Sequence, residues 1–248
     1  MNESQFTLPS SFHRSGFSLV ELLVAIAIIG VIAAILIPTV HKVRQNANEV
    51  KGVNNLRQIG SAIGLFANEH ANNFPPAVSP TTDYATILSP YLGGKGTTWQ
   101  DVSERSEVFK DPNSDDQRGT YHYAANPNFM QDIQRWDLES PRPSDYERLV
   151  SRLKATRPIE QILLADASQV GSYNNSSATL YSVSGIWTPA PNAGSENPVS
   201  RGPDVDGAGG HLRWRAANGN GVKCLFADGH VQIMLEGELL QKHFQIDR

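Results

Sequence analysis

Apolar residues are spread very unevenly along this chain of 248 residues. Residues 17–37 form a run of 21 in which only Ser18 and Glu21 are polar. Drawn as a helix, that run is about 31 Å long, close to the hydrocarbon thickness of a bilayer. No later segment approaches it, so the pattern predicts one membrane span near the N-terminus. Beyond the span, apolar residues recur in steps of three or four at Val40, Val43, Ala47, Val50, Val53, Leu56, Ile59, Ile63 and Phe66. That spacing lays one stripe along a helix, and Lys42, Arg44, Gln45, Asn46, Asn48 and Glu49 fill its other faces. Pro38 is expected to kink the helix or mark its exit from the membrane. Asn72-Asn73-Phe74-Pro75-Pro76 signals the end. The expected helix covers 17–71, and its second half should pack on a sheet. Gly52, Gly60 and Gly64 each weaken it by about 1 kcal/mol relative to alanine, for which close approach of a strand is the expected reason.

Downstream the pattern shortens. Residues 84–92 read as a short helix, 108–110 as a short strand or an extended entry to a turn, and 121–124 as an alternating strand. Residues 145–154 read as a helix, 161–165 as a buried strand ending at Asp166, and 179–187 as a further strand in a loop-rich stretch. The clearest signal is 222–235, where Asp228-Gly229 separates two strand-like runs and predicts a hairpin with a two-residue turn. That register sets Phe226 opposite Val231, Cys224 opposite Ile233 and Val222 opposite Leu235, giving one apolar face with Cys224 as a small core residue. A helix over 236–244 follows.

Composition narrows the classes. Charged residues make up 19% and hydrophobic residues 40%, as in a folded protein. The net charge of −4 and pI near 6.0 supply no basic field, so nucleic acid is not an expected partner. One cysteine excludes an internal disulfide framework.

Glu21 is what discriminates among readings of the N-terminus. A cleaved signal peptide would have a shorter apolar core followed by small residues; here the passable site, Val31-Ile32-Ala33, lies inside the run. A plain anchor fits the length and leaves Glu21 without a reason, although a charge at the centre of a span costs about 2.5–3.5 kcal/mol. The string His13-Arg14-Ser15-Gly16-Phe17-Ser18-Leu19-Val20-Glu21-Leu22-Leu23, leading into the apolar run and Pro38, resembles the cleavage and methylation signal of type IV prepilins and type II secretion pseudopilins. The resemblance implies that a prepilin peptidase cuts between Gly16 and Phe17 and methylates the new amine of Phe17. Glu21, fifth in the mature chain, would then meet the terminal amine of a neighbouring subunit and set register. Cations after the span (Lys42, Arg44, Lys51, Arg57) outnumber those before it (Arg14, with His13). The cytoplasmic leader and extracytoplasmic C-terminal domain are therefore implications of the resemblance and not of charge.

The C-terminal end resembles a second feature of prepilin-like proteins, a histidine, nine residues and then Asp-Gly, often within Phe-Ala-Asp-Gly-His-Val. Residues 226–231 match that string, with His211 as the upstream partner and Asp228-Gly229 as the pair. Sixteen residues separate His211 from Asp228 here, which implies an inserted loop over 213–220. The stretch Val108-Phe109-Lys110-Asp111-Pro112 resembles a family segment that usually has cysteine where Asp111 stands.

Sharper chemistry finds little support. His211, Asp228, His230 and Asp166 could be drawn as a metal site, but no ligand spacing supports it, and there is no Gly-x-Ser-x-Gly nucleophile motif. Asp204 and Asp206, before Gly207, are the candidates for calcium, without the further ligands of an EF-hand loop. Trp99, Trp136, Trp187 and Trp214 could line a glycan- or partner-binding surface.

The expectation is an α+β, pilin-like fold, a long N-terminal helix on a mostly antiparallel sheet. Its parts are a leader (1–16), a membrane or filament-core helix (17–38), an amphipathic continuation (39–73) and an extracytoplasmic domain (74–248). The expected role is a structural subunit of a pilus or type II secretion-like pseudopilus, not an enzyme and without a cofactor. It would sit in the inner membrane, with prepilin peptidase, other pilins and the membrane as partners. The alternative is a membrane-anchored binding module that does not polymerise.

Overall fold

The computed structural model describes residues 18–79, 82–95, 106–114, 122–131, 149–167, 180, 196, 198–199 and 212–246. The chain divides into two compact units, Met1–Gln45 and Asn46–Arg248. Helix α1 is continuous over Leu19–Glu69 with Pro38 inside it. In the first unit its large apolar side chains, from Leu19 to Ile37, are exposed. Among the described residues α1 is the one helix long and apolar enough to cross a membrane.

The second unit places a four-stranded antiparallel sheet against the rest of α1. The strands are β1 (Tyr123–Ala125), β2 (Ile162–Asp166), β3 (Gly221–Phe226) and β4 (Val231–Leu235), in that spatial order. The α+β, pilin-like expectation is therefore met. Leu56, Ile59, Ile63 and Phe66 of α1 are buried against Leu163, Leu164 and Leu225 of the sheet. Each such aliphatic side chain contributes about 1.5–3 kcal/mol through burial. Helix α2 (Tyr84–Leu88) is N-capped by Asp83, whose carboxylate accepts from Thr86 N at 2.8 Å, and a 3₁₀ turn, Ser89–Leu92, extends it.

The buried stripe of α1 begins later than the spacing predicts. Val40, Val43 and Val50 are exposed, whereas Gly52 and Asn55 join Leu56 on the inner face. The sheet reaches the helix only from Gly52 onward, so apolar periodicity before it meets no partner. Gly52 and Gly60 are sites of close approach, as expected: a Cβ at Gly52 would lie 2.8 Å from Lys223 Cε, and one at Gly60 2.8 Å from Leu225 Cδ1. Gly64 meets nothing within 4 Å, so close approach does not account for it.

The hairpin is real but its register is one residue off. Leu225 pairs with Val231, Cys224 with Gln232, Lys223 with Ile233 and Val222 with Met234. The loop has three residues, Ala227-Asp228-Gly229. It is closed by Phe226 N donating to His230 O and Gly229 N to Phe226 O, both 2.9 Å, with Gly229 at φ 93°. A type I turn followed by a left-handed glycine bulge fits three residues where a two-residue turn was expected. The slip regroups the side chains. Val222, Cys224 and Phe226 enter a second core with Ile162, Trp214 and Phe244, while Leu225 faces α1. Strand β3 is thus buried on both faces instead of one.

Other short elements differ locally. Residues Glu107–Phe109 form a 3₁₀ turn, N-capped by Ser106, in place of an extended segment. The expected helix over 236–244 is a turn followed by a 3₁₀ segment, Gln241–Phe244. Of the expected helix over 145–154, the described part holds a 3₁₀ turn, Arg152–Lys154. The expected strand over 179–187 lies outside the described residues apart from Leu180.

Candidate functional site

Gly16 and Phe17 lie outside the described residues, and the site becomes visible at Ser18, where α1 starts. Ser18 Oγ accepts from Val20 N at 3.3 Å, and the Glu21 carboxylate accepts from Ser18 N at 2.9 Å. This reciprocal arrangement has the form of a capping box, which satisfies amides that a helix start leaves without carbonyl partners. A carboxylate also suits the positive end of the helix dipole. Glu21 is therefore exposed, pinned to the first turn and aimed at the chain just before the helix.

The C-terminal motif divides. His211, Asp204 and Asp206 lie outside the described residues, as do Trp99, Trp136 and Trp187. Asp228 and Gly229 form the tip of the β3–β4 hairpin. Asp228 Oδ1 accepts from His230 N at 3.0 Å and stands 2.6 Å from His230 Nδ1, while the His230 ring stacks on Phe226. Both side chains are partly exposed. Asp166 is fully buried in the sheet with Lys223, so it is not a companion of Asp228 and His230. Among the described residues no three His, Cys, Asp or Glu side chains stand close enough to hold a metal ion. Trp214 is buried in the second core, so it lines no binding surface. Cys224 is a buried free thiol, as expected, and burial pushes its pKa well up.

Sequence reasoning missed a buried charge cluster between α1 and the sheet. Lys223 Nζ lies 2.9 Å from Asp166 Oδ2 and 3.1 Å from Asp111 Oδ2, and Arg215 Nη1 lies 3.1 Å from the same Asp111 oxygen. Arg215 Nη2 also donates to Ala167 O at 2.6 Å. The helix joins in through Asn55, which donates to Lys110 O at 2.9 Å, and Asn48, which donates to Pro112 O at 3.2 Å. The available signal was Lys223 itself, a cation inside an otherwise apolar strand, where a buried charge demands partners.

Residues 11–37 match the family model described as the prokaryotic N-terminal methylation motif. No curated protein and no solved structure gives a significant match. The motif implies processing by a prepilin peptidase and assembly with other pilins, and it indicates a structural subunit. The single apolar N-terminal helix fits a single-pass membrane anchor. A methylation motif that runs into an apolar helix, whose continuation packs on an antiparallel sheet, fits a type IV pilin-like protein.

Proposed function

We propose that this chain is a prepilin-type structural subunit of a pilus or type II secretion-like pseudopilus, without catalytic activity of its own. A prepilin peptidase cuts between Gly16 and Phe17 and methylates Phe17. The observation that carries this is the methylation motif at 11–37 running straight into the exposed apolar part of α1. In a membrane that surface is solvated by lipid; in a filament it is covered by the same helix of neighbouring subunits. Glu21 changes partner on assembly, from its own Ser18 amide to the Phe17 amine of the next subunit. An opposite charge in a poorly solvated setting penalises any register that leaves the carboxylate without a partner. The domain after the helix is extracytoplasmic, with the leader in the cytoplasm and the anchor in the inner membrane.

Intact mass and N-terminal sequencing of the protein from its native membrane test this. A mature chain starting at methylated Phe17 supports it. A chain starting at Met1, or cut after residue 37, overturns it.

A second reading, a membrane-anchored binding module that does not polymerise, draws support from an open groove of about 360 Å³ on the globular unit. It is lined by Phe66, His70, Ile87 and Tyr91. Pull-down of neighbouring copies through engineered cysteines in α1 separates the two: cross-linked ladders favour the subunit, and monomers alone favour the module.

A further inference from the structure

The buried charge cluster plays no part in the filament reading, and it brings one amine against two carboxyls in the core. Lys223, Asp166 and Asp111 are all fully buried, so the amine and both carboxyls meet away from bulk water. The two carboxyls are held differently. Asp111 has Lys223 Nζ and Arg215 Nη1 on Oδ2, and Asn113 N on Oδ1 at 3.2 Å. Burial pushes its pKa up, but Lys223 and Arg215 outweigh burial and hold it below the usual carboxylate value. Asp166 receives both Lys223 N and Lys223 Nζ on Oδ2, each at 2.9 Å. Its Oδ1 is buried and accepts no hydrogen bond among the described residues. Burial pushes Asp166 up to about 6 against the pull of Lys223. Asp111 is thus the persistent anion, and Asp166 is the carboxyl that most readily takes a proton.

We propose that Lys223 and Asp166 condense into an intramolecular amide that joins β3 to β2. Asp111 is the base, and Asp166 reacts as the protonated acid. Asp111 Oδ2 takes a proton from the Lys223 ammonium, and the freed nitrogen lone pair attacks Cγ of Asp166. The C–N bond forms and the Cγ–Oδ1 bond breaks. Nitrogen gives up a second proton to Oδ1, so that Oδ1 leaves as water. Asp111 sheds the remaining proton and returns to its pairing with Arg215. The net change is one ammonium and one carboxylate converted to one amide and one water.

Three features favour this. Lys223 Nζ is held 2.9 Å from Asp166 Oδ2, so the attacking nitrogen is already confined beside the carboxyl it attacks, the kind of positioning that makes a reaction effectively unimolecular. Gly52 lets the helix press on the lysine stem: a Cβ there would lie 2.8 Å from Lys223 Cε and 2.9 Å from Asp111 Oδ1, so the amine has little room to leave. Condensation also removes one buried charge of each sign while leaving Arg215 and Asp111 matched, which relieves the desolvation that pairing only partly offsets at Asp166. Burial favours the free amine of Lys223, but the two carboxylates outweigh it and hold the lysine above its usual pKa. The first proton transfer is therefore uphill, and the bond forms slowly after folding.

The test is the intact mass of the full chain, purified from membranes in detergent, aged at neutral pH and then denatured, followed by sequencing of cross-linked peptides. The expected mass is that of the processed chain less one water, with the Asp166 peptide joined to the Lys223 peptide. Lys223→Arg keeps the charge and should show no loss; Asp111→Asn should slow the loss several-fold. A wild-type chain that keeps its full mass overturns the proposal without reliance on any variant. So does a link to Asp111 in place of Asp166, or a loss that persists in Lys223→Arg. The N-terminal peptide in the same digest reports processing separately, so failure of this bond and failure of the prepilin reading are distinguishable.

Discussion

Glu21 holds two positions open. In the isolated chain its carboxylate caps α1 through Ser18 N, a contact of the kind that stabilises a helix start by about 1 kcal/mol. In the proposed filament the same oxygen would meet an incoming amine. Glu21→Ala should therefore leave leader removal intact and sharply reduce incorporation into filaments, read by shearing filaments from cells and blotting both fractions. Equal incorporation of the variant would remove Glu21 from assembly. Gly229 is a second residue whose identity is dictated by geometry, because it sits at φ 93° in the hairpin loop. Gly229→Ala places a Cβ in the left-handed region at a cost of about 1–2 kcal/mol, with space around it. Chemical denaturation of the two proteins should show a lowered midpoint and an unchanged slope.

At the scale of elements, α1 is judged by its glycines. Gly52→Ala forces a Cβ into Lys223 Cε and Asp111 Oδ1, and overpacking of that kind costs about 1–3 kcal/mol. Gly64→Ala meets open space and should stabilise the protein by up to about 1 kcal/mol through helix propensity. Thermal unfolding of both variants in detergent should move the midpoint in opposite directions. A rise in both would mean that helix propensity, and not contact with the sheet, decides both. Strand β3 gives the complementary lesson. Buried on both faces, it separates the α1-facing core from the second core, and the cation it contributes to the first is the one drawn into the buried cluster.

At the scale of the molecule, the C-terminal 3₁₀ segment closes the second core through Phe244 and is held by His243. His243 Nδ1 accepts from Leu240 N at 3.1 Å, which requires a neutral ring nitrogen. Burial, with Lys242 and Arg157 nearby, lowers its pKa below 6.5 despite Glu160 and Glu196. A histidine depressed in the folded state contributes stability that is present above its unfolded pKa and lost as pH falls through the folded one. Acidification below about 6.5 should therefore loosen 240–246, seen as faster amide exchange there, while His243→Asn should show little pH dependence over the same range. The lowered Asp111 carboxyl acts in the same sense, but only in stronger acid, as pH falls below its unfolded value of 3.8.

What the sequence determined by itself was local and periodic. A run of 21 residues with only Ser18 and Glu21 polar can only be solvated by lipid or by its own kind, and Glu21 behind Gly16-Phe17 sets it apart from an ordinary anchor. The buried strand ending at Asp166 and the hairpin at Asp228-Gly229 were legible for the same reason, since burial and turn chemistry leave their mark within a few residues. Tertiary structure decided the rest. Two-residue and three-residue turns share the Asp-Gly signature, and only pairing against β2 and packing on both faces fix which is used. The start of the buried stripe on α1 depends on where the sheet ends, which the helix cannot encode. The meeting of Asp111, Asp166, Arg215 and Lys223 joins positions up to 112 apart in the chain, because long-range charge pairing follows from the fold and leaves no periodic trace.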